Sequence, residues 1–331
     1  MQHLKILFRL MYDRRNKFII IFKDFSIMNI KKLSPVMSLL WKAKKRLMYG
    51  IMGFVMAIAF SIGLPQVAYS FSLWDLIVPA IQVFQISNLS DDQEVQLGKE
   101  INQQIIRQVP ISNNRDLNNY INNIGQRLAQ TSERPNLPYT FQVVDDDSIN
   151  AFATTGGFVY IQTGLIKAAK TEAELASVVG HEIGHIVGKH ALKQMREQAI
   201  TQGLLGAAGL DQSAAVQIGV QLALSLPHSR GDELEADRLG LDNLTAACYK
   251  PEGMVNFMRT LEEASGGGGV PNFLSTHPSP RNRVNLLQDR INEYSNSPQV
   301  TSYLQNTCAN VNNGFNQQSY INQIRSLGIN I

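Results

Sequence analysis

HEIGH, residues 181–185, sets His181 and His185 four apart with Glu182 directly after the first. Residues four apart on a helix share a face, so two imidazoles can hold one ion while the glutamate beside them handles protons. That is the H-E-x-x-H pattern of zinc-assisted hydrolysis. A catalytic zinc takes three protein ligands and keeps one position open, so a third ligand must come from elsewhere. His190 is a poor candidate, because nine residues beyond His181 on a continuing helix it lies about half a turn off the metal face. It is predicted to be a surface residue. DELEAD offers Asp232, Glu233, Glu235 and Asp237. Glu233 and Asp237 share a helix face and Glu235 points elsewhere. The spacing assigns Glu233 as third metal ligand and Asp237 as the acceptor for the second N–H of a ligating imidazole.

These residues need helices to present them. TEAELASVVGHEIGHIVGKHALKQMREQA, 171–199, opens on a capping box of Thr171 and Glu174 and shows no break before its last turns, which predicts one continuous helix. SRGDELEADRLGLDNL opens another. Upstream, Ser90 and Gln93 form a second capping box, with an apolar helical face in Val95, Leu97, Ile101, Ile105 and Ile106. Leu117, Ile121, Ile124 and Leu128 mark a further helix. PYTFQVVDDD and GGFVYIQTG read as two strands, bounded by Pro, Asp and Gly. Residues 203–226 suit a surface or pocket-flanking amphipathic helix rather than a membrane span. EEASGGGGVPNFLSTHPSP is a loop with a proline-framed histidine, followed by a helix from Arg281 to about Tyr294. Helices followed by strands predict an α+β body.

The net charge of +3 is unevenly placed. Of 30 basic residues 12 fall in residues 1–70, against two of 27 acidic ones, Asp13 and Asp24; this leaves 18 basic and 25 acidic residues, a net of −7, on 71–331. The body has no electrostatic case for binding nucleic acid. WKAKKRLMYG, the apolar run IMGFVMAIAFSIGL and a small-residue site before Phe71 read as a leader. The expected layout is a misassigned or extra N-terminal extension over 1–36, a signal peptide or signal anchor over 37–70, a zinc metallopeptidase-type catalytic domain over 71–294, and an Asn/Gln-rich tail over 295–331. The tail packs on the domain or extends from it. Export to the periplasm or an equivalent compartment follows; the alternative is anchoring by residues 51–64. The only cysteines, Cys248 and Cys308, fall in the exported part, where an oxidising compartment permits a disulfide.

NAFATTGGFVYIQTGLI, HEIGHIVGKHA and SRGDELEAD, in that order, closely resemble metallopeptidase family 48, the family of HtpX-like heat-shock proteases and CAAX prenyl proteases. The resemblance runs from about Asp91 to Tyr294, and the family's E-x-x-x-D falls on Glu233 and Asp237. It implies a mostly helical, gluzincin-like zincin domain of α+β class, with a small antiparallel sheet beside the HEIGH helix. It also implies one Zn2+ per chain on His181, His185 and Glu233, with Glu182 as general base in peptide hydrolysis. STHPSPRNR resembles a recurring family segment and supplies His277 and Arg281; either could stabilise the oxyanion, or His277 could cap the zinc at rest. PHSR departs from the pattern, which has an aromatic before the serine, and His228 reads as a bystander. GGFVYIQTG is the candidate edge strand for an extended peptide, with Asn150, Ala151, Phe152 and Ala153 lining the cleft. Partners would be protein or peptide substrates, including misfolded envelope proteins. The family's multi-pass membrane segments are absent, which points to its soluble exported branch. The competing reading is a chaperone-like binding module that keeps the zinc site but is autoinhibited or inactive.

Overall fold

The computed structural model describes residues 89–202, 212–265, 271–278 and 283–330. Helix α1 (Asp91–Ile105) starts on the Ser90–Gln93 capping box, with both reciprocal bonds formed. Helix α2 (Arg115–Ala129) is capped by Asn114 and buries Leu117, Ile121, Ile124 and Leu128. Strands β1 (Thr140–Val144), β2 (Ala151–Thr154) and β3 (Phe158–Gln162) follow, then α3 (Thr163–Ala168) and α4 (Glu172–Val187). The remaining helices are α5 (His190–Thr201), α6 (Gln212–Ser225), α7 (Arg230–Ala246), α8 (Glu252–Ser265), α9 (Asn272–Thr276), α10 (Arg283–Asn296), α11 (Pro298–Thr307) and α12 (Gln317–Ser326). None of the described helices is long and apolar enough to cross a membrane.

The α+β class holds, but the sheet is mixed rather than antiparallel. Its order is β1-β3-β2, with β1 parallel and β2 antiparallel to β3. The sequence reading placed strands only at β1 and β3. AFAT becomes a strand because Gly156 (φ 78) and Gly157 (φ 97) turn the chain back in conformations that favour glycine. Since β3 is paired on both sides, GGFVYIQTG cannot be the edge that receives a peptide. The outer strands are β1 and β2, and β2 carries Ala151, Phe152 and Ala153.

Side chains alternate along β3, so the sheet is buried on both faces. Val159 and Ile161 join a core with α2, α4, α7, α8, α10 and α12, whereas Phe158 and Tyr160 join a second core with α1, α5 and α6. Helix α4 is buried along almost its whole length, from Ala173 to Ile186. Thr171 caps it as expected, but the Glu174 carboxylate accepts from the Lys170 N–H (3.0 Å), one residue before the cap. Buried Glu94 joins three elements: it accepts from Arg134 (2.8 Å), Thr155 Oγ1 (2.9 Å) and Gly156 N (3.2 Å), and Arg134 also donates to Ile186 O at the end of α4.

The tail packs on the domain. Cys248 and Cys308 form a disulfide, Ala173 N donates to Gly314 O (2.8 Å), and Tyr320 Oη donates to Ile166 O (2.7 Å). The Gly314 carbonyl thereby satisfies one of the N–H groups that the first turn of α4 leaves unpaired.

Helices α4 and α7 meet backbone to backbone. A Cβ on Gly184 would lie 2.6 Å from Ala236 O, one on Gly240 2.9 Å from His181 N, and one on Gly180 3.2 Å from Gly240 O. Gly184→Ala should therefore push the helices apart and cost about 1–3 kcal/mol. The expected readout is a lower urea midpoint; an unchanged midpoint would contradict the contact.

Candidate active site

The α4–α7 crossing brings four donor residues together. One donor atom each from His181, His185, Glu233 and His277 lies within 4.8 Å of the others, and all four residues are buried. His181 and His185 come from α4 and their Nε2 atoms are 3.1 Å apart. Glu233 comes from the first turn of α7, capped by Ser229; its carboxylate lies 3.6 Å from His181 Nε2 and 3.4 Å from His185 Nε2. His277 follows α9, with Nδ1 3.1 Å from Glu233 Oε1 and 3.3 Å from His181 Nε2.

Asp237, one turn past Glu233, faces His181 Nδ1 at 3.0 Å. The contact departs from normal hydrogen-bond geometry, but a carboxylate so near favours the imidazole proton on Nδ1 and an Nε2 lone pair directed at the cluster. Arg283 holds both carboxylates: its guanidinium donates twice to Asp237 (2.6 Å each) and once to Glu233 (2.9 Å), and the side chain is fully buried. Arg283 was not singled out from the sequence. Its signal was an arginine opening the helix after the histidine segment, with a carboxylate pair spaced four apart to receive a planar fork. Arg281 lies outside the described residues.

Glu182 is buried, and neither oxygen makes a hydrogen bond of normal geometry among the described residues. His277 Nε2 stands 3.5 Å from its Oε1, and the Ala153 N–H of β2 exerts a weaker pull on the carboxylate. The edge strand thus runs beside this glutamate. Asn150 accepts from Thr276 Oγ1 (3.3 Å), which links the start of the strand to the segment bearing His277. Phe152 turns away and stacks on Tyr160. The cavity bounded by Ala153, Thr154, Gln194, Leu222, His228 and His277 measures only ≈ 20 Å³. A wider groove of ≈ 830 Å³ between α1 and α6 is lined largely by glutamines and reaches none of these residues.

Two histidines depart from expectation. His190 is buried rather than on the surface, because the helix does not continue: Gly188 ends α4, Lys189 takes a left-handed φ of 52, and His190 swings back to place Nδ1 2.9 Å from His185 Nδ1. His228 stacks on the His185 ring (centroids 4.0 Å, 26°) and its Nδ1 meets Gln194 Nε2 at 3.1 Å.

Among the described residues three buried carboxylates, Glu182, Glu233 and Asp237, share this volume with one guanidinium. When all are ionised the imbalance is two negative charges, the countercharge of a divalent cation. Protons are the competing countercharge. Burial opposes a charged ring at His181, but the hydrogen bonds and charges of Asp237 and Glu233 outweigh it and raise the ring to about 9. Burial also raises Glu182. Burial resists ionisation of Glu233 too, yet the charge of His277 and the bonds from His181 and His185 hold it far below the usual carboxylate range. Burial and His228 drive His185 well down, and burial with His277 lowers His228 to about 3, so both rings stay neutral. Three imidazole nitrogens and a carboxylate oxygen form a donor set that suits a metal ion.

A buried H-E-x-x-H helix crossing an acidic helix above a small mixed sheet defines a zincin-like metallopeptidase fold. Residues 115–291 match Peptidase family M48, and the chain belongs to that family. Its relatives include a putative beta-barrel assembly-enhancing protease of Vibrio cholerae, 33% identical over 66% of this chain and 48% of the relative. The beta-barrel assembly-enhancing protease of Escherichia coli K12 is 32% identical over 62% of this chain and 45% of the relative. The mitochondrial metalloendopeptidase OMA1 of Schizosaccharomyces pombe is 31% identical over 53% of each. The chain spans about half the length of the curated relatives it matches.

A metal bound through His181 would displace the proton that its neighbouring carboxylates favour up to about pH 9. Affinity for Zn2+ as probe ion should therefore rise about tenfold per pH unit below that value and level off above it. Titration calorimetry in buffers of different ionisation heat should find about one proton released; pH-independent affinity with no proton release would contradict the assignment.

Proposed function

We propose that the chain is an exported zinc metalloendopeptidase in which His181, His185 and Glu233 hold the ion, Glu182 is the general base and His277 is a fourth donor at rest. The observation that carries this reading is the convergence of four buried donor atoms beside a buried glutamate without a normal hydrogen bond. When bound, zinc supplies a Lewis acid that activates water near neutral pH and polarises the scissile carbonyl.

The protein's own groups do the rest. Glu182 takes a proton from the attacking water and delivers it to the leaving amine; burial, which raises its pKa, suits it to both transfers. Asp237 fixes the His181 tautomer, and Arg283 keeps Asp237 and Glu233 ionised and in place. An extended peptide adds to the open edge of β2 over Asn150, Ala151, Phe152 and Ala153, its backbone pairing with the strand. With His277 seated no such peptide reaches Glu182, so the His277 segment must withdraw first.

The disulfide between Cys248 and Cys308 favours an oxidising, extracytoplasmic compartment. The names of the bacterial relatives favour substrates among envelope proteins. We take residues 71–294 as the catalytic domain, with 295–331 packed on it and 37–70 as its leader. The small size of the cavity beside the site also suits a second reading, a binding module whose proteolytic site stays shut.

Peptidase assays on an unfolded protein separate the two. Glu182→Gln should lower the rate by at least about 100-fold while zinc content stays unchanged. His277→Ala should raise it if His277 closes the site, and lower it if His277 stabilises the oxyanion. A Glu182→Gln variant with full cellular activity would favour the binding module.

A further inference from the structure

Each imidazole on α4 has an outer partner on its second nitrogen. For His181 it is the Asp237 carboxylate. For His185 it is a third histidine. His190 is 1% exposed, its Nδ1 lies 2.9 Å from His185 Nδ1, and the two rings meet at 76°. Its other nitrogen, Nε2, lies 3.4 Å from Glu235 Oε2 and 3.9 Å from Asp232 Oδ1, both on α7. Asp232 is in turn held by Lys193 (2.5 Å) and Ser229 (2.7 Å).

Two ring nitrogens 2.9 Å apart form a hydrogen bond only if one carries the proton and the other offers its lone pair. The carboxylates decide which. They are acceptors, so His190 carries its proton on Nε2 and turns a bare Nδ1 toward His185. His185 must then carry its proton on Nδ1, which leaves its Nε2 lone pair facing His181 and Glu233.

We propose that His190 is a positioning residue of the metal site, which fixes the tautomer and ring orientation of His185 and links that ring to the Asp232–Glu235 turn of α7. The proposal rests on reading His181, His185 and Glu233 as zinc ligands. The chain is built for this contact. Lys189 adopts the left-handed turn that returns His190 beneath α4, and a Cβ on Gly188 would come within 2.8 Å of His190 Cε1, so the ring occupies space that only glycine leaves. The turn of α7 that carries Glu233 also carries Asp232 and Glu235, so the third ligand and the outer acceptors of the second move as one unit.

Zinc dissociation constants of the full chain, from competition with chelators, test this alongside the melting temperatures of the metal-free proteins. His190→Leu removes the acceptor, whereas His190→Asn keeps an oxygen near the place of Nδ1. The leucine variant should bind zinc roughly 10- to 100-fold more weakly, with the asparagine variant within about threefold of the parent, although both lose the ring and melt lower. Equal affinity in the leucine variant and the parent would overturn the proposal. So would equal losses in both variants that follow their melting temperatures, the mark of a packing role alone. A parent that binds no zinc overturns the zinc reading as well; a parent that binds zinc beside an unaffected leucine variant overturns only the role of His190. Should the leucine variant fail to fold, histidine nitrogen-15 spectra of the zinc-loaded parent decide: His190 protonated on Nε2 supports the proposal, and His190 protonated on Nδ1 contradicts it.

Discussion

The site depends on how closely α4 and α7 approach. Gly180 and Gly184 on one helix and Ala236 and Gly240 on the other leave nothing larger than a methyl group between the backbones. At that separation a histidine on α4 and a carboxylate one turn into α7 reach the same point. Larger residues at these positions would hold the helices apart and leave His181 and Glu233 facing across a gap. Gly184 is itself part of HEIGH, so the motif supplies both two donors and the contact that brings Glu233 to them.

Charge is the second constraint. Carboxylates this deeply buried are tolerated only when paired, and Arg283 pairs with two of the three. Among the described residues Glu182 is the one of the three that no lysine or arginine pairs, with His277 Nε2 3.5 Å from its Oε1. His277 lies on the remaining side, against Glu233 and Glu182. The end of α9 that carries it is tied to the start of β2 through Thr276 and Asn150, and His228 N donates to Thr276 O (2.9 Å). The β2 edge and His277 therefore share hydrogen bonds.

Much of this was legible from spacing. Helical period brings His181 beside His185 and Glu233 beside Asp237, and capping residues mark where α1, α4 and α7 begin. What escaped depended on single backbone positions. The left-handed Lys189 breaks a pattern that otherwise reads as one helix, and it carries His190 from the expected surface to the interior. AFAT is too short and too alanine-rich to announce a strand, yet the two glycines after it fold it onto β3 and make it the edge. Arg283 could not be separated from Arg281 without knowing where α10 begins. The tail helix α12 carried a readable stripe, Tyr320, Ile324 and Leu327, but nothing in composition says that it packs into the core around α4.

X-ray absorption on the zinc-loaded chain tests the central claim most directly. The account predicts about one zinc per chain, with a shell of three imidazole nitrogens and one carboxylate oxygen. A chain that retains no zinc after loading, or a shell without imidazole, would contradict it.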